Sequence, residues 1–186
     1  MGIRIGNYKQ LSTRINELER EKRSILDFIE EIEKKKKSAF MESYKNINDN
    51  FQKFFSQITG GGTAWLQLQN NDEPFSGGLD IIAQFPGKAP RLISGASGGE
   101  KSVAAVSFIF ALHTFRPVPF YLFDEIDASL DPINAERLAD LLKERSAMSQ
   151  FIVITLKDVV VARAEKLFGS SFRVDIPTLH LSICPP

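Results

Sequence analysis

The 186-residue sequence is poor in sulfur and imidazole groups, with one cysteine, Cys184, and two histidines. A single thiol excludes an intramolecular disulfide and fits a reducing cytoplasm. Two histidines without a cysteine cluster exclude a zinc site. The sequence also shows no signal peptide and no run of 18 apolar residues, so we expect neither export nor a membrane span.

An excess of charge of either sign is also missing, because basic and acidic residues number 23 each. A net charge of zero gives no overall attraction to nucleic acid. The distribution is uneven, since residues 1–58 carry 12 basic and 9 acidic side chains, a net charge of +3. This segment is therefore the predicted DNA-facing part. The basic run at 34–37 is either a solvated helix face or a phosphate contact.

Residues 8–58 lack both proline and glycine, so nothing in them interrupts a helix. Alternating spacings of three and four residues predict the a/d seam of a coiled coil at Tyr8, Leu11, Ile15, Leu18, Lys22, Ile25, Ile29, Ile32, Lys36 and Ala39. The seam then shifts by one residue and becomes largely aromatic, as Phe40, Tyr44, Ile47, Phe51, Phe54 and Ile58. We predict a coiled-coil arm to about residue 40, followed by a helix docked on a globular part. The alternative is one amphipathic helix packed along its own domain.

Three glycines at 60–62 end this helix and separate two predicted domains, residues 1–58 and 59–186. Two strands follow, at Thr63–Leu68 and Leu79–Phe85. A helix from Glu100 to Phe115 is apolar nearly all round, which predicts burial on most sides.

The remaining sequence alternates strand and helix. The apolar runs Phe120–Phe123 and Phe151–Ile154 predict parallel strands covered on both faces. Asp131-Pro132 begins a helix between them, with Leu138, Leu141 and Leu142 buried and Arg137 among the residues that face water. We also predict a short helix over 158–166 and one or two edge strands over 171–183. This order is typical of an α/β crossover unit.

The sequence lacks a P-loop, the Gly-x-x-x-x-Gly-Lys-Ser/Thr segment that holds the β- and γ-phosphates of a nucleotide. The nearest approach runs from Gly95 to Ser102, with Glu100 at a position that must be glycine. A carboxylate there would repel phosphate, so this near-match is coincidental.

Two other motifs do point to nucleotide chemistry. Ser97-Gly98-Gly99-Glu100-Lys101 precedes the apolar helix, where glycines permit close approach and a helix N-terminus offers N–H groups to phosphate. About 25 residues later, an apolar strand ends in Asp124-Glu125, and further aspartates follow at 127 and 131. Such carboxylates can hold Mg²⁺ and orient a water for attack on phosphate. The alternative for the pair is a solvated strand end.

In this order, the motifs resemble the signature motif and the Walker B motif with D-loop of ABC-type ATPases. More specifically, they resemble the C-terminal head lobe of the structural maintenance of chromosomes (SMC) ATPases, in the compact archaeal or bacterial form. The resemblance covers roughly residues 40–170. It implies an α/β fold that is the C-terminal half of an ABC-type P-loop NTPase head, preceded by a coiled-coil helix. It also accounts for the missing P-loop, which in this family lies in an N-terminal lobe at the far end of the polypeptide.

The resemblance implies a role for each motif residue. Asp124 would hold Mg²⁺, and Glu125 would be the general base for the attacking water. The signature residues, which would meet the γ-phosphate of ATP held by a second head, are Ser97, Gly98 and Gly99. Asp131 would be the D-loop aspartate at the dimer interface. Two departures from the pattern are Ala96, where the family has leucine, and Leu156, where many ABC ATPases have a histidine.

The implied function is ATP binding and hydrolysis, completed by the N-terminal lobe, to drive head dimerisation in chromosome organisation, condensation and segregation. The implied cofactors are ATP and Mg²⁺, and the implied partners are the N-terminal lobe, a second head, a kleisin subunit and DNA. The implied location is the cytoplasm, in association with the nucleoid. One alternative is a double-strand-break repair ATPase, whose heads usually read Asp-Glu-Pro where this sequence has Asp124-Glu125-Ile126. A second alternative is a non-catalytic assembly module.

Overall fold

The computed structural model describes residues 2–169 and 182–184, with side chains described for residues 12–169. The helices are α1 (Gly2–Thr59), α2 (Gly98–Phe115), α3 (Pro132–Arg145) and α4 (Asp158–Val161). The strands are β1 (Thr63–Leu68), β2 (Leu79–Gln84), β3 (Arg91–Leu92), β4 (Phe120–Asp124), β5 (Gln150–Ile154), β6 (Leu167–Gly169) and β7 (Ser182–Cys184). None of the described helices is both long and apolar enough to cross a lipid bilayer.

The chain divides into two compact units, Met1–Lys45 and Asn46–Pro186. The predicted domain boundary at residue 58 stays a prediction. In the first unit the helix is confirmed, and its apolar seam is open, with Ile25 at 59% exposure. An open seam is what one strand of a coiled coil presents without its partner. Lys34 pairs with Glu30 at 2.6 Å and Lys35 with Glu31 at 2.7 Å, which favours the solvated-face interpretation of the basic run.

The last turns of α1 form the centre of the second unit's core. Phe51, Phe54, Phe55 and Ile58 are fully buried. The ring of Phe51 meets that of Phe108 in α2 edge-on, at a centroid distance of 6.0 Å. Aromatic pairs of this geometry contribute about 0.5–1.5 kcal/mol beyond their buried area. The aromatic seam from Phe51 onward therefore packs in the core of the second unit, in agreement with the predicted docked helix.

Two glycines in the left-handed backbone region follow α1, Gly60 with φ 70° and Gly61 with φ 116°. The N–H of Gly61 donates to the carbonyl five residues earlier at 2.9 Å, which closes the last turn. Arg137 of α3 donates to the carbonyl of Ile58 at 3.3 Å. The prediction that Arg137 faces water is wrong, because the unpaired carbonyls at a helix C-terminus attract its guanidinium.

Strands β1, β2 and β3 form an antiparallel sheet in that order. In the β1–β2 register, Thr63 lies opposite Gln84 and Leu68 opposite Leu79. The predicted pair of strands is confirmed. Strand β3 is not predicted, because two residues are too short to show a period.

Helix α2 packs on one face of the parallel pair β4–β5, in which Asp124 lies opposite Ile154. The rings of Phe123 and Phe151 lie 6.2 and 6.1 Å from that of Phe110 in α2. His113, near the end of α2, is 2% exposed and its Nε2 lies 3.0 Å from Ser149 Oγ. His113 is thus a hydrogen-bonded core residue.

The opposite face of β4–β5 is open. Leu122 is 63% exposed, Ile152 47% and Ile154 51%. The prediction that these strands are covered on both faces is wrong for the described part of the chain, because α2 packs only on the face that carries Phe123. Burying apolar surface would stabilise the fold by about 25 cal/mol per Å², and the exposed side chains on this face do not contribute that free energy. This open sheet face is therefore an incomplete core.

The C-terminal elements are short. Helix α3 buries Leu138, Leu141 and Leu142 as predicted, whereas α4 ends at Val161, before the predicted residue 166. Strands β6 and β7 pair antiparallel. The predicted edge strands over 171–183 overlap β7, and residues 171–181 lie outside the described residues.

Candidate functional site

Helix α2 begins at Gly98, two residues before the predicted start at Glu100, and Ser97 is its N-cap. Its hydroxyl accepts the N–H of Glu100 at 3.5 Å. In return, Glu100 Oε2 accepts the N–H of Ser97 at 2.9 Å and lies 3.0 Å from the Ser97 hydroxyl oxygen. This capping box satisfies N–H groups that have no partner within the helix. It fixes the Ser97 hydroxyl at an exposed helix start.

Two cations hold the carboxylate of Glu100, which is 11% exposed. Lys88 Nζ lies 3.0 Å from Oε1, and Arg91 contacts Oε2. The backbone N–H of Ser97, assisted by Lys88, the Ser97 hydroxyl and Arg91, lowers the pKa of Glu100 from 4.5 to about 2 against the opposing effect of burial. Glu100 is therefore ionised at neutral pH, and its charge is compensated locally. These contacts give a structural reason for a carboxylate at this position.

Replacing Glu100 with glutamine should destabilise the chain most at neutral pH. Because the pKa is lowered in the folded state, the stabilisation is present above pH 4.5 and is lost as the pH falls towards 2. We expect Glu100→Gln to lower the free energy of unfolding by up to about 3 kcal/mol at pH 7, with the difference closing in acid. Urea unfolding of both proteins at pH 7, 4.5 and 3 measures this. A difference that does not change with pH would contradict the role of an ionised cap.

Gly98 and Gly99 have different surroundings. A Cβ added to Gly98 would meet no atom within 4 Å, whereas one added to Gly99 would lie 2.8 Å from the carbonyl oxygen of Ser129. Ser129 belongs to the turn segment, residues 125–131, which joins β4 to α3. The start of α2 therefore rests directly on the turn segment, with Gly99 at the contact, while the space at Gly98 is open.

Alanine substitutions should separate the two glycines. At Gly99 the new methyl group meets a backbone atom that cannot turn away, so we expect Gly99→Ala to lower the free energy of unfolding by about 1–3 kcal/mol. Gly98→Ala is the matched control and should leave stability unchanged or slightly raised, since alanine favours helix over glycine. Denaturant titration of the two variants tests this, and equal stabilities would contradict the Gly99 contact.

Asp124 and Glu125 lie where β4 ends, and both are exposed. The N–H of Glu125 donates to the carbonyl of Ile154 at 2.9 Å. Its φ is 49°, and it is the one non-glycine residue with positive φ in the described part of the chain. This left-handed conformation costs about 1–2 kcal/mol, and strain of this kind clusters at functional sites. The chain thus leaves the sheet through a strained carboxylate residue.

Asp131 is the N-cap of α3, as predicted. Its Oδ1 accepts the backbone N–H of Asn134 at 2.8 Å, and its Oδ2 accepts the side-chain amide of Asn134 at 2.6 Å. Pro132 follows at the first turn, where a missing N–H is tolerated. These contacts hold the end of the turn segment.

The turn segment connects the predicted site residues. Glu125 and Asp131 are its two ends, Asp124 directly precedes it, and Gly99 rests on its middle at Ser129. The described residues contain no group of three His, Cys, Asp or Glu side chains that could hold a metal ion. Magnesium usually takes one or two protein carboxylates and completes its shell with water and substrate phosphates. An exposed Asp124 at a strand end fits that chemistry.

Sequence reasoning missed a second polar group beside the turn segment. Asp127 is 2% exposed and accepts a hydrogen bond from the hydroxyl of Thr155. Lys157 donates to the carbonyl of Leu130 through Nζ and to Thr155 Oγ1 through its backbone N–H. The one available signal is a threonine and a lysine directly after an apolar strand. That signal does not identify partners 28 and 27 residues earlier in the chain.

Comparisons with known proteins agree on one family. The model of the RecF/RecN/SMC N terminal domain matches residues 2–176. The chain is 52% identical over 166 residues to the chromosome partition protein Smc of Pyrococcus furiosus. This alignment covers 89% of the chain and 14% of that protein, so the chain spans a small part of its curated relative.

Solved structures give the same result. One similar structure is the Smc head domain of Pyrococcus furiosus, with an extended coiled coil and bound to the C-terminal domain of ScpA. It matches with a TM-score of 0.85 and 51% identity, over 90% of this chain and 42% of that chain. A chain from a study of ATP-driven dimerization and DNA-stimulated activation of SMC ATPases matches with a TM-score of 0.71 and 48% identity, over 78% of this chain and 89% of that one. The mixed architecture of helices and strands is therefore that of SMC heads, and the chain belongs to the RecF/RecN/SMC family.

Proposed function

We propose that this chain is the C-terminal lobe, with its adjoining coiled-coil helix, of an SMC head that binds and hydrolyses ATP once an N-terminal P-loop lobe completes it. The observation that carries the proposal is the open sheet face, which ends at two adjacent carboxylates. Leu122, Ile152 and Ile154 supply an apolar surface that needs a cover, and Asp124 and Glu125 stand at the end of the same strand pair. A second lobe on this sheet would close the core and bring a P-loop to the carboxylates.

Within such a site, Asp124 would hold Mg²⁺, which supplies charge neutralisation for the phosphates of bound ATP. Glu125 orients the attacking water and accepts its proton as the γ-phosphate is transferred. Its exposed position and strained backbone support this role.

The signature residues serve a different ATP molecule, the one held by a second head. Ser97 and the N-terminus of the 18-residue helix α2, which it caps, meet the γ-phosphate. The open space at Gly98 leaves room for the partner to approach. Asp131, at the end of the turn segment, lies at the same dimer interface. ATP-driven dimerization of the SMC ATPases in the similar solved structure supports this assignment.

The biological role that follows is chromosome partition, through ATP-driven contact between two heads. Smc of Pyrococcus furiosus carries that name, and its head binds the C-terminal domain of ScpA, which supports a kleisin subunit as a partner. DNA is proposed as the substrate that the arms enclose, and the cytoplasmic nucleoid as the location. The repair ATPase remains the second candidate; Ile126, where repair heads usually have proline, favours the chromosomal branch.

Complementation by the missing lobe tests the proposal. The purified chain should neither bind ATP tightly nor hydrolyse it, and adding the N-terminal P-loop lobe should restore both. Ile152→Asp, on the open sheet face, should prevent this assembly. Met148→Asp is the control: Met148 is an apolar residue at least as exposed as Ile152, at 62% against 47%, and its replacement should not prevent assembly. Robust ATP hydrolysis by the chain alone would refute the division of the site between two lobes.

A further inference from the structure

The strained backbone of Glu125 needs support from its surroundings. A left-handed conformation at a residue with a Cβ persists only where neighbouring contacts make every alternative worse. The first of these contacts is the hydrogen bond from the Glu125 N–H to Ile154 at the end of β5. The second is the hydrogen bond that the carbonyl of Glu125 accepts from the N–H of Ala128 at 3.0 Å, inside the turn segment. The post-strand segment, residues 155–157, holds the turn segment through further contacts.

Asp127, two residues after Glu125, connects the turn segment to the post-strand segment through its side chain. Its carboxylate is almost completely buried, and a buried carboxylate is costly unless it is hydrogen-bonded. The Thr155 hydroxyl donates to Asp127 Oδ2, and the Asp127 carbonyl accepts the N–H of Leu130 at 3.0 Å. Asp127 therefore ties the turn segment to the end of β5 with its side chain and folds the turn segment with its backbone.

Lys157 makes the remaining contacts from the same side. Its backbone N–H donates to Thr155 Oγ1 at 3.0 Å, which leaves the threonine proton for Asp127. Its ammonium group donates to the carbonyl of Leu130. Leu156 between them is 89% exposed, as expected where side chains alternate in an extended segment. The post-strand segment thus presents one threonine and one lysine to the turn segment and points its leucine away.

We propose that Asp127, Thr155 and Lys157 are positioning residues for Glu125: they fix the turn segment so that the Glu125 carboxylate stays where it can take a proton from the attacking water. This inference rests on the proposed function, because it assumes that Glu125 is the base. None of the three residues needs to touch ATP. Their loss leaves Glu125 chemically intact but free to relax out of its strained conformation, so the chemical step slows while nucleotide binding persists.

The test measures kcat and KM for ATP in the head assembled from this chain and the N-terminal lobe. Thr155→Val keeps the shape of threonine and removes the hydroxyl, so kcat should fall about ten- to a hundredfold with KM within about twofold of wild type. Thr155→Ser restores a hydroxyl and should recover most of kcat. Lys157→Met keeps the aliphatic stem and should also lower kcat alone, whereas Asp158→Asn, one residue further along and exposed, should behave as wild type.

The outcomes separate this inference from the function on which it rests. Wild-type kcat in Thr155→Val and Lys157→Met would overturn the positioning role, provided that Glu125→Gln is inactive in the same assay. A fall in kcat that serine does not rescue, or one matched by an equal rise in KM, would also overturn it, since general loosening of the lobe predicts those results. If Glu125→Gln itself hydrolyses ATP normally, Glu125 is not the general base and the proposed function is wrong on that point.

Discussion

Exchanging Glu125 for glutamine is expected to slow ATP hydrolysis by the assembled head about 10²–10⁴-fold, while ATP still binds and still brings two heads together. Glutamine has the shape of glutamate, so the exposed end of β4 and the hydrogen bond to Ile154 persist. An amide cannot accept a proton from water at neutral pH, and only the chemical step is lost. The heads should then remain associated for long periods, because hydrolysis no longer releases them.

Single-turnover hydrolysis, nucleotide binding and the dimer fraction in the presence of ATP measure the three parts of this expectation. Glu73→Gln is a matched control, since Glu73 is an exposed carboxylate in the turn between β1 and β2. It should leave all three quantities unchanged. Normal turnover by Glu125→Gln would remove Glu125 from the catalytic role.

A mixture of two inactive heads is expected to regain hydrolysis. Ser97→Arg places bulk at the exposed start of α2, at the proposed interface between two heads. It should abolish dimer-dependent hydrolysis without affecting ATP binding in one assembled head. A head with a defective P-loop is also inactive, because it cannot hold its own ATP, although its Ser97 is intact. In a mixed dimer, one composite site combines the intact P-loop of the first head with the intact Ser97 of the second. Each mixed dimer has one of its two sites intact, so part of the wild-type activity should return.

Ser146→Arg, at the exposed C-terminal end of α3, is the control for the added arginine and should retain full activity. Dimer formation in the mixture must be measured alongside hydrolysis. No recovery despite dimers would mean that Ser97 does not act across the interface or that both sites must fire together. Loss of ATP binding in a single Ser97→Arg head would show that Ser97 serves its own nucleotide.

The structural features that can be predicted from the sequence are those set by residues close together in the chain. Ser97 and Asp131 begin helices because a side-chain oxygen three residues before an unpaired N–H can accept it. The strands β1, β2, β4 and β5 follow from runs of apolar or alternating residues bounded by turn formers. The Asp124-Glu125 pair can be recognised in the sequence because two adjacent negative charges directly after an apolar strand repel each other unless a cation is present.

The features that the sequence does not predict depend on residues distant in the chain. Arg137 reaches the end of a helix 79 residues earlier, and Thr155 reaches an aspartate 28 residues earlier. The positive φ of Glu125 is set by the contacts of the whole turn segment rather than by any preference of glutamate. The open sheet face is unpredicted for another reason: an apolar strand pattern indicates that a cover is needed, but not whether the same segment supplies it.

The proposed cover of the open sheet face would also affect when such a head can fold. In a protein as long as Smc, of which this chain matches 14%, a cover from the N-terminal lobe would come from the opposite end of the polypeptide. Contacts between residues so far apart in sequence are slow to form. Before these contacts exist, the strand edges and apolar side chains of the lobe are exposed and can associate with the wrong partners. An arm that folds back on itself places the two lobes side by side and raises the effective concentration of each around the other. The coiled coil would then act as an internal folding aid, converting an encounter between distant ends into a local one before any ATP is bound.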